Sequence, residues 1–142
     1  MVSAGTKVNG YFDSRVFDMS VDADVPFISY GAFSGDSVHI ILDKTLDVLA
    51  FSFKSARQTL SDSTFLSGIE LTGKAYQDEV ELRAGWSGSS NGTEGDLAVV
   101  GQVMGLRSYE FDLLPSKLFF GRGLWQSNGT AHFTIDSSTV VV

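Results

Sequence analysis

Apolar and polar residues alternate with a period of two along most of the chain. In the clearest run, apolar side chains at positions 80, 82, 84 and 86 alternate with charged side chains at 79, 81 and 83. The segments 17–21, 38–42, 109–113 and 131–135 alternate in the same way. Successive side chains of a β-strand point to opposite faces, so each run predicts a strand with one apolar and one polar face. Such strands are typical of antiparallel sheets with one wet side.

Turn-forming residues separate these runs. The strongest turn signals are Asn9-Gly10, Ser34-Gly35-Asp36, Asn91-Gly92 and Asn128-Gly129. The only two prolines are Pro26 and Pro115, which we expect at strand ends or in loops. The 142 residues have the size of one domain. The sequence therefore predicts a single all-β domain over residues 1–142, an antiparallel β-sandwich or barrel of about eight to ten short strands with at most one short helix.

Two neighbouring segments depart from the alternation. Leu46–Phe53 is almost continuously apolar, which favours a central strand covered on both faces. Lys54–Ser67 could place Ala56, Leu60 and Phe65 on one side of a helix. Its many Ser and Thr side chains compete with helical backbone hydrogen bonds, however. We expect one or two turns of helix at most, or an exposed loop.

Composition and charge narrow the range of functions. The chain has 10 basic and 17 acidic residues, a net charge of −7, which argues against nucleic acid as a partner because phosphate binding needs a basic face. It has no Cys, which excludes disulfides, thiolate catalysis and Cys-ligated zinc. At 43% apolar residues it is too apolar for disorder, and no apolar run approaches the roughly 20 residues of a membrane span.

One short motif resembles a catalytic site. Gly35-Asp36-Ser37 is similar to the nucleophile block of the GDSL-type hydrolases, but in that family the His closely follows an Asp near the C-terminus. Here His132 follows Gly-Thr-Ala, and the only other histidine, His39, lies on the polar side of another predicted strand. A nucleophilic serine needs a His placed between a hydroxyl and an acid. We predict no enzyme activity and no cofactor; a small hydrolase using Ser37, Asp36 and one His is the least favoured hypothesis.

A small acidic group raises the question of a metal. Asp18, Asp22 and Asp24 lie close together, with Asp13 nearby. Calcium takes six to eight oxygen ligands, often from clustered Asp, but the spacing does not fit an EF-hand and the glycine of its turn is missing. We predict a solvated acidic edge that limits edge-to-edge aggregation rather than a metal site, and calcium binding stays open.

The chain from position 113 to position 125 carries more apolar residues than one inward face can take. Three of them, at 118–120, are consecutive, so at least one should point away from the sheet, unless the strand is buried on both faces. The C-terminal valines pair either inside their own sheet or with a neighbour's. Exposed apolar patches mark interfaces, and Phe, Trp and Arg are frequent anchors. The predicted interface residues are Leu118, Phe119, Phe120, Arg122, Trp125, Val140, Val141 and Val142.

The same end of the chain carries a family resemblance. Tyr109–Leu113, a glycine-containing turn and Gly129–Ile135 resemble the last strands of small β-sandwich modules in bacteriophage tails, baseplates and capsid decorations. The resemblance covers Leu106–Val142. It implies a role in a symmetric assembly and carries over no catalytic residue.

These observations predict a non-enzymatic structural or assembly protein, a phage virion subunit of a tail or capsid. It would bind itself or other virion proteins as a homo-oligomer, with no nucleic acid or membrane partner. The N-terminus shows no signal-peptide pattern, which fits a virion protein assembled in the host cytoplasm. The alternative is an extracellular carbohydrate-binding module in which Trp125 or Tyr30 stacks on a sugar ring.

Overall fold

A computed structural model describes residues 1–61, 64–89, 94–105, 108–120, 123–135 and 140–141. These residues form thirteen antiparallel strands and no helix, which confirms the all-β prediction. The strands are β1 (Lys7–Asp13), β2 (Asp18–Tyr30), β3 (Phe33–Thr45), β4 (Val48–Ser61), β5 (Thr64–Tyr76), β6 (Glu79–Trp86), β7 (Gly88–Ser89), β8 (Gly95–Gly105), β9 (Ser108–Leu113), β10 (Ser116–Phe120), β11 (Gly123–Ser127), β12 (Ala131–Ile135) and β13 (Val140–Val141).

All thirteen strands belong to one open sheet that runs up and down in chain order. β9 and β10 both pair with the same strand, β8, and are separated only by Leu114 and Pro115. β11 and β12 return along them, and β7 continues the pairing of β6 with β5. Pro115 therefore lies between two strands, as expected for a residue that cannot donate to a ladder. The prediction is wrong for Pro26, which lies inside β2 where the pairing with β3 skips from Val25 to Phe27. Several strands reach 13 or 14 residues, longer than the sequence pattern indicates.

Two-residue turns join three of these long hairpins, at 31–32, 46–47 and 77–78. The first residue of each turn has a positive φ: 60° at Gly31, 54° at Leu46 and 52° at Gln77. Type II′ hairpin turns take glycine at this position. Only the first of the three turns has that glycine, and none of the three is among the predicted turns.

Two predicted turns, Asn9-Gly10 and Ser34-Gly35-Asp36, are wrong, because these residues lie inside β1 and β3. Asn128-Gly129 does separate β11 from β12, and Asn91-Gly92 lies outside the described residues.

The segment from Leu46 to Ser67 is the main correction to the sequence analysis. Leu46 lies in a turn, so the apolar run straddles the turn and the start of β4. Lys54–Ser67 is neither helix nor loop where the structure describes it, because it forms the second half of β4 and the start of β5. β4 pairs with β3 on one side and β5 on the other. Its second half contains two buried polar side chains, Ser55 and Gln58, which are 3% and 4% exposed.

The register sorts side chains into two faces, because residues directly opposite each other point to the same side. One row crosses eight strands without a polar residue: Val21, Leu42, Phe51, Gly73, Leu82, Val99, Leu113 and Ala131. The row on one side of it is Ala23, Ile40, Phe53, Leu71, Ala84 and Leu97. The row on the other side is Met19, Lys44, Leu49, Ala75, Val80, Gly101, Phe111 and Phe133, in which Lys44 is the charged member. We call the side that carries these three rows the apolar face and the other side the polar face.

The apolar face is not covered by a second layer. The buried apolar side chains among the described residues are Ala23, Val25, Val38 and Ala98, and Leu82 and Ile40 in the apolar rows are each 37% exposed. Large side chains between two packed sheets would be almost fully buried. The chain exposes 9440 Å² in total. A compact monomer of this mass exposes about 7,100 Å². The molecule is thus a single-layer sheet with one apolar side in solvent.

Candidate functional site

On the apolar face, aromatic rings lie over glycines of neighbouring strands. The three directly opposed pairs are Phe51 with Gly73, Phe111 with Gly101 and Trp86 with Gly95. A Cβ added at Gly101 would lie 2.6 Å from Cδ1 of Phe111, and one added at either other glycine would overlap its ring. Each ring therefore covers bare backbone that would otherwise form a hollow. The apolar surface therefore continues across these glycines.

Two of the predicted interface residues extend this surface. Leu118 lies opposite both Gly95 and Trp125, and its Cδ2 is 2.7 Å from where a Cβ on Gly95 would be. Trp125, which is 46% exposed, continues the row that begins at Trp86. Alternation places Phe119 and its partner Leu124 on the polar face. The sequence-predicted patch is thus split between the two faces.

The other predicted interface residues are less informative. Phe120 belongs to β10, but its side chain lies outside the described part of the chain, as do residues Arg122 and Val142. Val140 and Val141 form β13 and pair with β12. The C-terminal run therefore pairs inside its own sheet, one of the two alternatives, and its interface role stays a prediction.

On the polar face, charged side chains pair across strands. Asp24, His39, Lys54 and Glu70 lie opposite one another in one row over β2–β5. Nδ1 of His39 is 2.8 Å from Oδ1 of Asp24, and Nζ of Lys54 is 2.9 Å from Oε1 of Glu70. These pairs are exposed, so each contributes little to stability, but together they offset charge along this face.

The second histidine repeats the arrangement of the first. Nδ1 of His132 is 2.8 Å from Oδ1 of Asp112, directly opposite it in β9. The sequence placed both histidines on polar strand faces but gave no partner for either. Only the register could show the pairing, because the paired residues lie 15 and 20 positions apart along the chain.

The surroundings of His39 bear on the hydrolase hypothesis. Asp24, Ser37 and His39 line one cavity of about 280 Å³. Asp24 bonds the imidazole as a triad acid would, but its side chain is 65% exposed, whereas a triad acid is buried. Within the described residues no hydrogen bond joins Ser37 to His39. The backbone oxygen of Asp36 accepts a hydrogen bond from the hydroxyl of Ser55. The site does not have the geometry of an assembled triad.

The acidic group is divided between two structural roles. Oδ1 of Asp18 accepts a hydrogen bond from the backbone N–H of Leu46, 3.1 Å away, and so supports the β3–β4 turn. Ligand atoms of Asp22, Asp24 and His39 lie within 4.8 Å of one another. Two exposed carboxylates supply too few oxygens for calcium. The hydrogen bond between Asp24 and the imidazole explains why these two side chains meet, without a metal.

A broader groove of about 540 Å³ lies mainly on the polar face. The polar-face side chains that line it are Ala50, Thr72, Lys74, Glu81, Arg83, Ala98 and Val100. The candidate sugar-stacking residues lie elsewhere: Tyr30 ends β2 and is 87% exposed, and Trp125 is on the apolar face. Neither ring therefore combines with the carboxylates of this groove.

Comparison with known proteins gives no family. The chain matches no family model, and no curated protein or solved structure is significantly similar to it. Among the described residues, no helix is long and apolar enough to cross a membrane. The feature of the described structure that most directly indicates a function is the uncovered apolar face.

Proposed function

We propose that this protein is a non-enzymatic structural subunit that acts through protein–protein interfaces. The observation that carries the proposal is the uncovered apolar face, which crosses eight strands of the sheet from β2 to β12. Burial of apolar surface drives most protein association. A sheet with one apolar side in water gains free energy when another protein covers that side.

The size of the face exceeds what a solitary protein usually exposes. One position on one face of a sheet occupies about 4.8 Å by 6.8 Å, so the 22 positions of the three rows cover about 700 Å². The largest apolar patch on a typical monomer is about 300–600 Å², and larger patches mark interaction sites. Eight of the large apolar side chains that remain more than a third exposed belong to this side, namely Val8, Phe12, Ile40, Leu82, Val103, Tyr109, Trp125 and Ile135.

The setting we propose is a phage virion, as part of a tail or capsid, with the subunit binding itself or other virion proteins after synthesis in the host cytoplasm. The support is the resemblance over Leu106–Val142 to small virion modules, which act through interfaces. The described part of that segment forms β9–β13 at one end of the sheet. Leu118 and Trp125 there belong to the same apolar face.

The carbohydrate-binding alternative has less support. Tyr30 and Trp125 are exposed enough to stack on a sugar. A sugar site also needs amides or carboxylates around the ring to bond the hydroxyls. The described grooves that contain carboxylates include neither aromatic residue. A glycan array separates the two functions, because only a sugar-binding module would bind a defined glycan and lose that binding in Trp125→Ala.

Light scattering behind a sizing column tests the structural proposal. We expect a molar mass above 15.3 kDa that rises with protein concentration or reaches a defined oligomer. The control is the same measurement in mild denaturant, where weakened apolar burial should lower the mass before unfolding begins. A mass of 15.3 kDa at every concentration would contradict self-association as the mode of action.

A further inference from the structure

We infer that a second copy of this chain covers the apolar face, so that two single-layer sheets pack face to face into one intermolecular β-sandwich. The inference rests on the proposed function and names its partner and surface. It assigns the main interface to the three apolar rows, with Leu118 and Trp125 at their end, rather than to the segment 118–125 alone.

The exposed area fits such a pair. Each chain exposes 9440 Å². That is about 2,300 Å² more than a compact chain of its mass. Covering about 700 Å² on each of two copies buries about 1,400 Å², within the roughly 1,200–2,000 Å² of stable complexes. One chain therefore carries enough uncovered apolar surface for a stable dimer, and a dimer removes about 30% of the excess.

The distribution of charge also fits a copy as the partner. Among the residues of the three apolar rows, the charged one is Lys44, near the β3–β4 turn. Its Nζ donates to the backbone oxygens of Phe17 and Leu46. The Lys54–Glu70 ion pair and the His132–Asp112 hydrogen bond both lie on the polar face. In a face-to-face dimer both polar faces point outward, so the two chains, each with a net charge of −7, keep their charges apart. Repulsion between copies would then oppose this packing only weakly.

The extent of the face selects a sheet as its occupant. Rings over Gly73, Gly95 and Gly101 occupy the space that side chains at these positions would take, so the apolar face continues across them. One helix about 10 Å wide or a single peptide would cover only part of a face of about 700 Å². A two-fold axis supplies a sheet of equal dimensions and equal chemistry from the same chain. Sheets packed in this way lie about 10 Å apart with interdigitated side chains.

The test compares one substitution on each face. Leu82 is 37% exposed in the central apolar row, and Leu124 is 51% exposed on the polar face. Leu82→Asp and Leu124→Asp make the same chemical change, but only the first places a carboxylate in the proposed interface. Each variant is measured by light scattering over a concentration range, with a cooperative thermal transition as the check on folding.

We expect wild type at twice 15.3 kDa, Leu124→Asp unchanged, and Leu82→Asp at 15.3 kDa with a dissociation constant raised at least about 100-fold. If Leu82→Asp does not fold, Leu82→Ser is measured instead, with a rise of at least about tenfold expected. An oligomer that resists both Leu82 variants and dissociates in Leu124→Asp would overturn this inference and leave the proposed function standing. Wild type at 15.3 kDa throughout would contradict both.

Discussion

The ring of Phe111 in β9 lies over the backbone of Gly101, the residue directly opposite it in β8. Glycine inside a strand usually weakens a sheet, because it has no side chain to pack. Here the missing side chain is what lets the ring lie flat, and the ring shields the glycine backbone. Aromatic rings lie over Gly73 and Gly95 in the same way, so this ring-over-glycine packing occurs three times on the apolar face.

Gly101→Ala should therefore destabilise the protein. Its Cβ would lie 2.6 Å from Cδ1 of Phe111, so the ring must tilt away from the strand. We expect a loss of about 1–3 kcal/mol in the free energy of unfolding, as in other overpacked sites. Denaturant unfolding monitored by circular dichroism measures it.

Gly85 provides the matched control in a strand interior. A Cβ there would meet only the backbone oxygen of Gly95 at 3.6 Å, which is ordinary contact. Gly85→Ala should raise the free energy of unfolding by about 0.5–1 kcal/mol, because the unfolded chain loses freedom. Equal effects of both substitutions would contradict the role given to the Phe111 ring.

Leu46→Gly should stabilise the β3–β4 hairpin. Leu46 has a φ of 54°, a region that costs a residue with a Cβ about 1–2 kcal/mol. Glycine removes that cost but adds about 0.5–1 kcal/mol of unfolded-state entropy, so we expect a net gain of about 0.5–1 kcal/mol. Asp47→Gly, at a position without positive φ, should lose stability in the same thermal-melting assay. A loss in both variants would show that the turn is not strained at Leu46.

Ser116→Ala should weaken the junction between β9 and β10. Ser116 is 3% exposed, and its Oγ donates to the backbone oxygen of Leu114 at 2.7 Å and accepts from the backbone N–H of Ala98 at 3.3 Å. Removing the hydroxyl leaves buried backbone groups unpaired, so we expect a loss of about 1–3 kcal/mol in unfolding free energy. Ser14→Ala, at an exposed position, is the control, and a change below about 0.5 kcal/mol is expected there. Equal values for the two would show that the hydroxyl does not support the junction.

Ser37→Ala should leave ester hydrolysis unchanged. Asp24 bonds His39 in solvent, and no described hydrogen bond links that imidazole to Ser37. We expect p-nitrophenyl acetate to be hydrolysed without a burst, at rates within about twofold for wild type, Ser37→Ala and the control His132→Ala, because exposed imidazoles give only background catalysis. A burst in wild type that disappears only in Ser37→Ala would instead support the hydrolase hypothesis.

The sequence predicted the strands whose faces differ in polarity. Glu79–Trp86 is a strand because a period of two separates charged from apolar side chains there. The pattern failed at 54–67, because Ser55 and Gln58 are polar yet buried, so neither face of that half of β4 stands out as apolar. It also missed the turns at Leu46 and Gln77, where ordinary residues adopt a conformation that usually requires glycine.

The candidate site was less predictable than the fold. Leu118 and Trp125 could be identified from an excess of apolar residues, but the face they extend is assembled from strands spread over most of the chain. Pairings such as Phe111 over Gly101 depend on register, which alternation within single strands does not fix. The absence of a covering layer is likewise a property of the whole sheet, so no single segment could indicate it.

Thiol reactivity at two adjacent positions tests most directly whether a second copy covers the apolar face. The chain has no Cys, so Leu82→Cys and Arg83→Cys each place a single thiol, one on each face. At high protein concentration we expect the thiol at 82 to react at least about tenfold more slowly with a maleimide than the thiol at 83, and its rate to recover on dilution as the dimer dissociates. Rates that are equal for the two thiols and independent of concentration would contradict the account.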